Sequence, residues 1–103
     1  MVYVTHKNIE DAKKMCRALI NCKLIACANL YPIESLYEWE GKVIDEKEIV
    51  SILKTNLKNW DSLKSKIEEI HPYEIPCIAK IDSEFNHKFS KWLDSELDKA
   101  DLH

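Results

Sequence analysis

The sequence predicts an α+β fold in which one long β-hairpin extends beyond the rest of a small domain. Strand-like and helix-like patterns alternate along the 103 residues in the order β-α-β-β-α-β-α. Two strand-like runs, Leu24 to Glu38 and Lys42 to Lys54, flank Gly41, the only glycine of the chain. Each run spans roughly 46 Å, whereas a compact domain of this length has a radius of gyration of about 13 Å. We therefore expect the hairpin to overhang its own domain.

The first strand and the first helix are predicted at the amino-terminal end. The run Met1 to Thr5 is rich in β-branched and aromatic residues, which is typical of a strand. Asn8 is a good helix-capping residue, and apolar residues then recur at helical spacing. We expect a helix over about Ile9 to Cys22 that buries one stripe against the sheet.

The two hairpin strands carry apolar residues on both faces. Pro32 cannot donate a ladder hydrogen bond, so it indicates a bend, a bulge or an edge strand. After the turn at Glu40 and Gly41, the third strand places Ile52 and Leu53 on opposite faces of the pleat. One face can be covered by the chain's own helices, and we expect an identical subunit to cover the other.

The second half of the chain repeats the helix-then-strand order. Apolar residues recur every three or four positions from about Leu57 to Ile70, and the helix must end before Pro72. A stiff, extended turn with two prolines follows. We expect the fourth strand over Cys77 to Ile81 and a last helix that begins near Ser83.

Chain direction brings several polar and aromatic side chains to one end of the sheet. The element order is typical of the ferredoxin-like β-α-β-β-α-β arrangement, here with an extra carboxyl-terminal helix. In that arrangement the end of the first strand, the hairpin tip and the turn before the fourth strand share one end of the sheet. The side chains gathered there are His6, Tyr37, Trp39, Glu40, His71, Tyr73 and Glu74.

Composition excludes several function classes. A net charge of −3 and a sequence pI near 5.8, with acidic and basic residues interleaved, provide no basic stripe for nucleic acid. No apolar run is long enough to span a membrane, and no signal-peptide pattern occurs. We expect a single domain over residues 1–103 that is soluble and cytoplasmic.

The sequence carries no motif that predicts an enzyme. Neither G-x-S-x-G nor H-E-x-x-H occurs, and one glycine cannot form a glycine-rich phosphate loop. The four cysteines form no C-x-x-C pair, so we expect reduced thiols. Cys16, Cys27 and Cys77 are predicted to be buried as small hydrophobic residues.

Five separated blocks of the sequence carry a family resemblance. They are Leu24 to Leu30, Tyr37 to Lys42, Ile52 to Thr55, His71 to Pro76, and Trp92 with Leu93. In order and spacing these blocks resemble the CutA family of divalent-cation tolerance proteins. The resemblance implies a homotrimer similar to the PII signalling proteins, in which long strands of one subunit extend the sheet of the next. It also implies a non-enzymatic role in tolerance of copper and other divalent cations.

The resemblance also indicates where a metal would bind. The copper ligands proposed for bacterial members are a cysteine at the end of the first strand and two adjacent histidines. In this sequence Val4 and Ile70 replace the cysteine and the first histidine, which leaves His71. We expect His71 to be a ligand of copper or another divalent cation, with His6 as a second candidate. The alternative for His71 is an interaction with the carbonyls at the end of the helix.

A cleft between subunits is the predicted ligand site. The side chains that we assign to it are Cys27, Tyr37, Trp39, Lys54, His71, Tyr73 and Glu74. The aromatic rings could equally anchor an interface. Lys54 follows a buried run, so its ammonium needs a carboxylate or an anionic ligand, and a salt bridge with a Glu of another subunit is the expected alternative to a ligand.

An acidic stretch on the third strand has two readings. Asp45, Glu46 and Glu48 could form a weak surface for divalent ions, or a solvated strand edge that discourages aggregation. The leading functional hypothesis is a trimer that binds a metal ion or small ligand between its subunits. The alternatives are a PII-like regulator that binds a small anionic molecule and a trimeric scaffold or anchor for a protein partner.

Overall fold

The computed structural model describes residues 1–98 of the chain. In those residues the strands and α-helices are β1 (Val2–His6), α1 (Ile9–Asn21), β2 (Cys27–Trp39), β3 (Lys42–Lys54), α2 (Trp60–Ile70), β4 (Ile78–Lys80) and α3 (His87–Asp98). A 3₁₀ turn at Leu57–Asn59 precedes α2. The fold is α+β, as predicted. The last five residues of the predicted domain lie outside the described part.

The four strands form one antiparallel sheet in the order β2-β3-β1-β4. This is the ferredoxin-like order, with the third helix added after it. The pleat directs Val2, Val4 and Leu53 to one face, where α1 and α2 cover them. The buried core on that face consists of Val2, Val4, Met15, Cys16, Leu19, Ile25, Leu53, Leu63 and Ile67.

Both ends of α1 are closed by local hydrogen bonds. The side chain of Asn8 accepts a hydrogen bond of 2.8 Å from the backbone N–H of Asp11, which is the predicted cap. At the other end Lys23 adopts a left-handed conformation with φ of 61°. The N–H of Leu24 can then donate to the carbonyl of Leu19 at 3.0 Å, which completes a Schellman-type cap.

The hairpin overhangs the sheet as predicted. β2 and β3 pair without interruption, but β1 ends where His6 pairs with Ile49. Residues 33–48 therefore form a two-stranded ribbon, which we call the overhang. Its strands extend roughly 23 Å past β1 at about 3.3 Å per residue. The longest dimension of the molecule is 48 Å, against 28 and 22 Å for the other two.

The turn of the overhang occurs at Glu40 and Gly41, as predicted. Their φ angles of 51° and 80° are those of a two-residue turn that matches the twist of a hairpin. Apolar side chains near the turn have no cover within the subunit: Leu36 is 71% exposed and Val43 is 76% exposed. The overhang thus lacks the burial that stabilises the rest of the sheet.

One prediction about β2 needs correction, and the structure selects among the alternatives of another. β2 begins at Cys27 rather than Leu24, because the N–H groups of Leu24 and Ile25 donate to α1 instead of a strand. Pro32 produces no bulge and pairs in register with Ile49. Its position on an edge strand, one of the predicted alternatives, explains why a residue without an N–H is tolerated.

The end of the described chain also differs from the prediction. β4 is shorter than expected, so Cys77 precedes it and is exposed, whereas Cys27 is half-buried and only Cys16 is buried as predicted. α3 begins at His87 rather than near Ser83, whose side chain accepts a hydrogen bond from the amino terminus. Within residues 1–98, no helix has the length and apolar character needed to cross a membrane.

Candidate functional site

A chain of polar side chains lies where β1 ends and the overhang begins. Its members come from β1, β3 and the turn after α2, and each touches the next through a hydrogen bond or a ring contact. We call it the histidine cluster: Ser51, His6, His71, Tyr73 and Glu48.

Hydrogen bonds engage both ring nitrogens of His71. Nε2 lies 2.8 Å from the carbonyl oxygen of Thr5, and Nδ1 lies 3.0 Å from the backbone nitrogen of Tyr73. A carbonyl only accepts and an N–H only donates, so Nε2 carries the proton and Nδ1 is the acceptor. The ring is therefore neutral and fixed. The carbonyl belongs to β1 rather than to the end of α2.

His6 is the most deeply buried member of the cluster, with 1% of its surface exposed. Its Nε2 lies 2.7 Å from Oγ of Ser51, and its ring stacks on His71 with 5.4 Å between centroids. Burial, followed by the neighbouring His71, lowers the pKa of His6 to about 4. Burial raises the pKa of the Cys16 thiol, which is hydrogen-bonded to Ser51, to about 11. His6 and Cys16 are therefore both uncharged at neutral pH.

Tyr73 joins the cluster to the overhang. Its ring meets His71 edge-on at 4.7 Å, and its hydroxyl donates a 2.6 Å hydrogen bond to Oε2 of the buried Glu48. Burial and this hydrogen bond raise the pKa of Tyr73. Tyr37 forms a similar but exposed pair with Glu46: partial desolvation and the hydrogen bond raise its pKa as well.

The predicted cleft residues do not form one site within a subunit. Cys27 and Lys54 lie opposite each other at one end of the hairpin, ten residues along β2 from Tyr37. That separation is roughly 33 Å along an extended strand. Tyr37, Trp39, Tyr73 and the exposed Glu74 belong to the other end with His71, although only Tyr73 contacts it among the described ring contacts and hydrogen bonds.

Within its own subunit Lys54 has an aromatic neighbour. Its Nζ lies 5.4 Å from the ring centroid of Phe89 on α3, which is a cation–π contact. The ion pairs within residues 1–98 do not include Lys54. Sequence reasoning could not find this contact, because Phe89 is 35 residues away and periodicity assigned it only to a helix face.

A resident metal ion does not fit the donors of one subunit. Within residues 1–98, no three His, Cys, Asp or Glu side chains converge on a common point. His71 has no free lone pair, so a metal ion would have to displace the N–H of Tyr73 from Nδ1. The ligand role of His71 stays a prediction, and within a single subunit these hydrogen bonds oppose it.

Sequence reasoning missed the role of Ser51 and treated Glu48 only as part of an acidic surface. One signal could have indicated Ser51. It interrupts the apolar run from Ile49 to Leu53, and the strand alternation directs it to the same face as His6. Two polar side chains on the inward positions of neighbouring strands must find partners, and here they bind each other.

Comparison with known proteins gives one consistent family. The model of the family described as CutA1 divalent ion tolerance protein matches residues 1–96. The divalent-cation tolerance protein CutA of Thermococcus kodakarensis is 44% identical over 94 residues, which are 90% of each chain.

Solved structures agree with this result. The periplasmic divalent cation tolerance protein CutA from Archaeoglobus fulgidus superposes with a TM-score of 0.89 at 32% identity, covering 93% of this chain and 95% of that one. The PII-like protein CutA from Nostoc sp. PCC 7120, in apo form, gives a TM-score of 0.85 at 28% identity and covers 93% and 94%.

Proposed function

This chain belongs to the CutA1 divalent ion tolerance family, and we propose that it acts as a non-enzymatic, cytoplasmic homotrimer in the tolerance of divalent cations such as copper. In this proposal a metal ion or small ligand binds in clefts between subunits. The observation that carries the proposal is the overhang, because it presents both unpaired backbone and uncovered apolar side chains.

The edges of the sheet support assembly with identical copies. Residues 42–48 of β3 lie beyond the reach of β1, so one side of that segment has no strand partner within the described subunit. Unpaired edges recruit strands of other chains. Leu36 and Val43 add apolar surface that needs cover. A closed ring of identical subunits would satisfy both needs.

A subunit contact would also explain why the predicted ligand residues are split in one chain. The overhang can carry Tyr37 and Trp39 of one subunit towards Cys27 and Lys54 of a neighbour. A divalent cation would then take donors from two subunits, which fits the absence of a three-donor group within residues 1–98 of one.

Sedimentation velocity of the purified chain tests the assembly. We expect a species of three times 12.1 kDa, and we expect the double variant Leu36→Asp, Val43→Asp to sediment as a folded monomer. The matched control is Glu34→Asp with Lys47→Arg, which alters the same ribbon without removing apolar surface. A wild-type monomer at all accessible concentrations would contradict the proposal.

Isothermal titration with Cu²⁺ and Zn²⁺ tests the metal. We expect binding that is present in the trimer and lost in the monomeric double variant. His71→Ala should weaken it, whereas His87→Ala on the exposed start of α3 should not. If the trimer takes up neither ion at micromolar concentrations, a direct role for metal binding is excluded.

A second candidate function is a PII-like regulator that binds a small anion. Lys54 supports it, because this half-buried residue places its ammonium against an aromatic ring. The ion pairs within residues 1–98 do not include Lys54. A thermal-shift screen with nucleotides and carboxylate metabolites would test it. An anion should raise the melting temperature of the wild type and of Lys47→Met, but not of Lys54→Met.

A further inference from the structure

A groove of about 300 Å³ lies along α1 beside the end of α2, on the helix-covered side of the sheet. We call it the α1 groove. Its lining consists of His6, Asp11, Lys14, Met15, Ala18, Ile70 and Pro72. It lies within one subunit, so an argument for it does not depend on the proposed trimer.

Opposite charges line the groove without neutralising each other. Asp11 and Lys14 are three residues apart on α1, a spacing at which side chains of opposite sign commonly pair. The ion pairs formed within residues 1–98 do not include either of them. The carboxylate and the ammonium are therefore both available to a ligand in the groove.

His6 contributes a third polar group at the inner end of the groove. The hydrogen bond to Ser51 uses Nε2, and no hydrogen bond within the described residues uses Nδ1. His6 is 99% covered but belongs to the groove lining, so Nδ1 is the ring nitrogen left for a polar contact. Because His6 is neutral, that nitrogen can present an N–H or a lone pair.

The remaining lining is apolar and limits the size of the ligand. Met15, Ala18, Ile70 and Pro72 supply the walls. A volume of about 300 Å³ lies at the small end of the range for metabolite sites, which extends to about 1,000 Å³. A zwitterion can pair with the half-buried Asp11 and the exposed Lys14 at once, whereas a ligand with one charge can pair with only one of them.

We propose that the α1 groove binds a small zwitterion of the chemical class of a free amino acid with an apolar side chain. Its ammonium pairs with Asp11, and its carboxylate pairs with Lys14 and approaches Nδ1 of His6. Its side chain packs against Met15 and Ile70. The residues that line this site all belong to one subunit.

Titration of the ¹⁵N-labelled full chain, followed by amide chemical shifts, tests the proposal. The probes are glycine, alanine, valine and leucine, with propionate and propylamine as molecules that keep one charge each. We expect the amides of residues 11–18 to shift with the zwitterions at about 10 mM, above a millimolar Kd. The single-charge probes should bind at least about tenfold more weakly, a difference of about 1.4 kcal/mol.

Variants on α1 separate the groove from the helix surface. Asp11→Asn and Lys14→Gln should each weaken binding by about tenfold or more. Glu10→Gln and Lys13→Gln are matched controls, because they change the same charges on the same helix but lie outside the groove lining. Ala18→Leu should abolish binding by filling the groove without altering a charge, and an exposed position makes it compatible with folding.

Three results would overturn the proposal. The first is that none of the zwitterions shifts the amides of residues 11–18. The second is that propionate or propylamine binds as tightly as the zwitterions. The third is that the two control variants lose as much affinity as Asp11→Asn and Lys14→Gln. A folded Ala18→Leu variant that still binds leucine would place the ligand elsewhere.

Discussion

The two ends of the long hairpin have the same backbone and opposite surroundings. Near the core, Leu53 on β3 is completely buried beneath the helices. In the overhang, Val43 on the same strand and directed to the same face is 76% exposed. Two apolar residues ten positions apart on one strand thus lie in a buried core and on an exposed surface. We call the rest of the sheet and its two covering helices the compact half. It consists of β1, β4, α1, α2, residues 27–32 of β2 and residues 49–54 of β3.

This contrast shows that an apolar strand pattern does not by itself indicate whether the subunit buries those residues on its own. The compact half buries the apolar residues that face its helices and pairs polar ones that point inward, as His6 does with Ser51. The overhang has backbone hydrogen bonds across the hairpin, but a two-stranded ribbon is marginal in water on its own. The exposed apolar residues of the overhang are typical of a surface that a partner chain covers.

Substitutions on the shared strand should break the comparison most strongly. Leu53→Ala should lower the free energy of unfolding by about 4 kcal/mol at any protein concentration, because it leaves a cavity in the core. Val43→Ala should change it by less than about 0.5 kcal/mol in dilute solution, where the subunit is alone. Urea unfolding at dilute and concentrated protein measures both.

The cost of Val43→Ala should appear only in the concentrated sample, because assembly contributes to stability by mass action. Equal losses at both concentrations would show that the overhang is stabilised within its own subunit.

The second prediction concerns acid, to which the compact half should respond through His6. Its pKa in the folded chain, about 4, lies below the ordinary value of 6.5, so the unfolded chain binds the proton more readily. The stabilisation is therefore complete above pH 6.5 and is lost as the pH falls towards 4. We expect the free energy of unfolding to fall by about 2 kcal/mol between pH 6.5 and 5, and by about 3 kcal/mol by pH 4.

Urea unfolding at pH 7, 6 and 5 measures this slope. The control is His6→Gln, which can still hydrogen-bond to Ser51 but does not titrate. The overhang contains no histidine, and its carboxylates are the same in the wild type and in His6→Gln, so the comparison of the two chains isolates His6. An identical slope in the wild type and His6→Gln would assign the acid response to other groups.

The third prediction sharpens the boundary between the two regions. Tyr73→Phe removes the hydroxyl that binds the buried Glu48, and we expect a loss of about 1 to 2 kcal/mol because a charged acceptor is left without its donor. Tyr37→Phe, at an exposed pair in the overhang, should leave the stability unchanged within the error of the measurement. Chemical unfolding gives the stabilities, and amide exchange shows whether the base of the overhang opens in Tyr73→Phe. Similar costs for both variants would remove the distinction between the regions.

Local rules predicted the elements of both regions, because each depends on residues close in sequence. The alternation that places Ile52 and Leu53 on opposite faces, the cap at Asn8 and the turn at Gly41 are all present in the structure. The length of the hairpin predicted the overhang. The start of β2 was predicted wrongly because the N–H groups of Leu24 and Ile25 donate to a carbonyl at the end of α1, which also lies close in sequence, instead of to a neighbouring strand.

The chemistry of the site was much less predictable. His71 could be placed near His6 from chain direction, but its partner is a backbone carbonyl 66 residues away, and any residue type could have supplied it. The second hydrogen bond, which Nδ1 of His71 accepts, comes from a backbone N–H two residues along the chain. Sequence shows which residues have lone pairs, whereas only coordinates show which lone pairs are already used.

The smallest predicted effect compares two strained residues, one in each region. Lys23 ends α1 and Glu40 forms the tip of the overhang, and both have positive φ. Lys23→Gly should raise the free energy of unfolding by about 0.5 to 1 kcal/mol, because glycine removes the steric cost of the left-handed conformation in the folded chain. The greater conformational entropy of glycine in the unfolded chain offsets only part of this gain. Glu40→Gly relieves similar strain, but in dilute solution the tip can open without unfolding the compact half, so the gain should be absent from urea unfolding. Equal gains would mean that the overhang and the compact half unfold as one cooperative unit even when the subunit is alone.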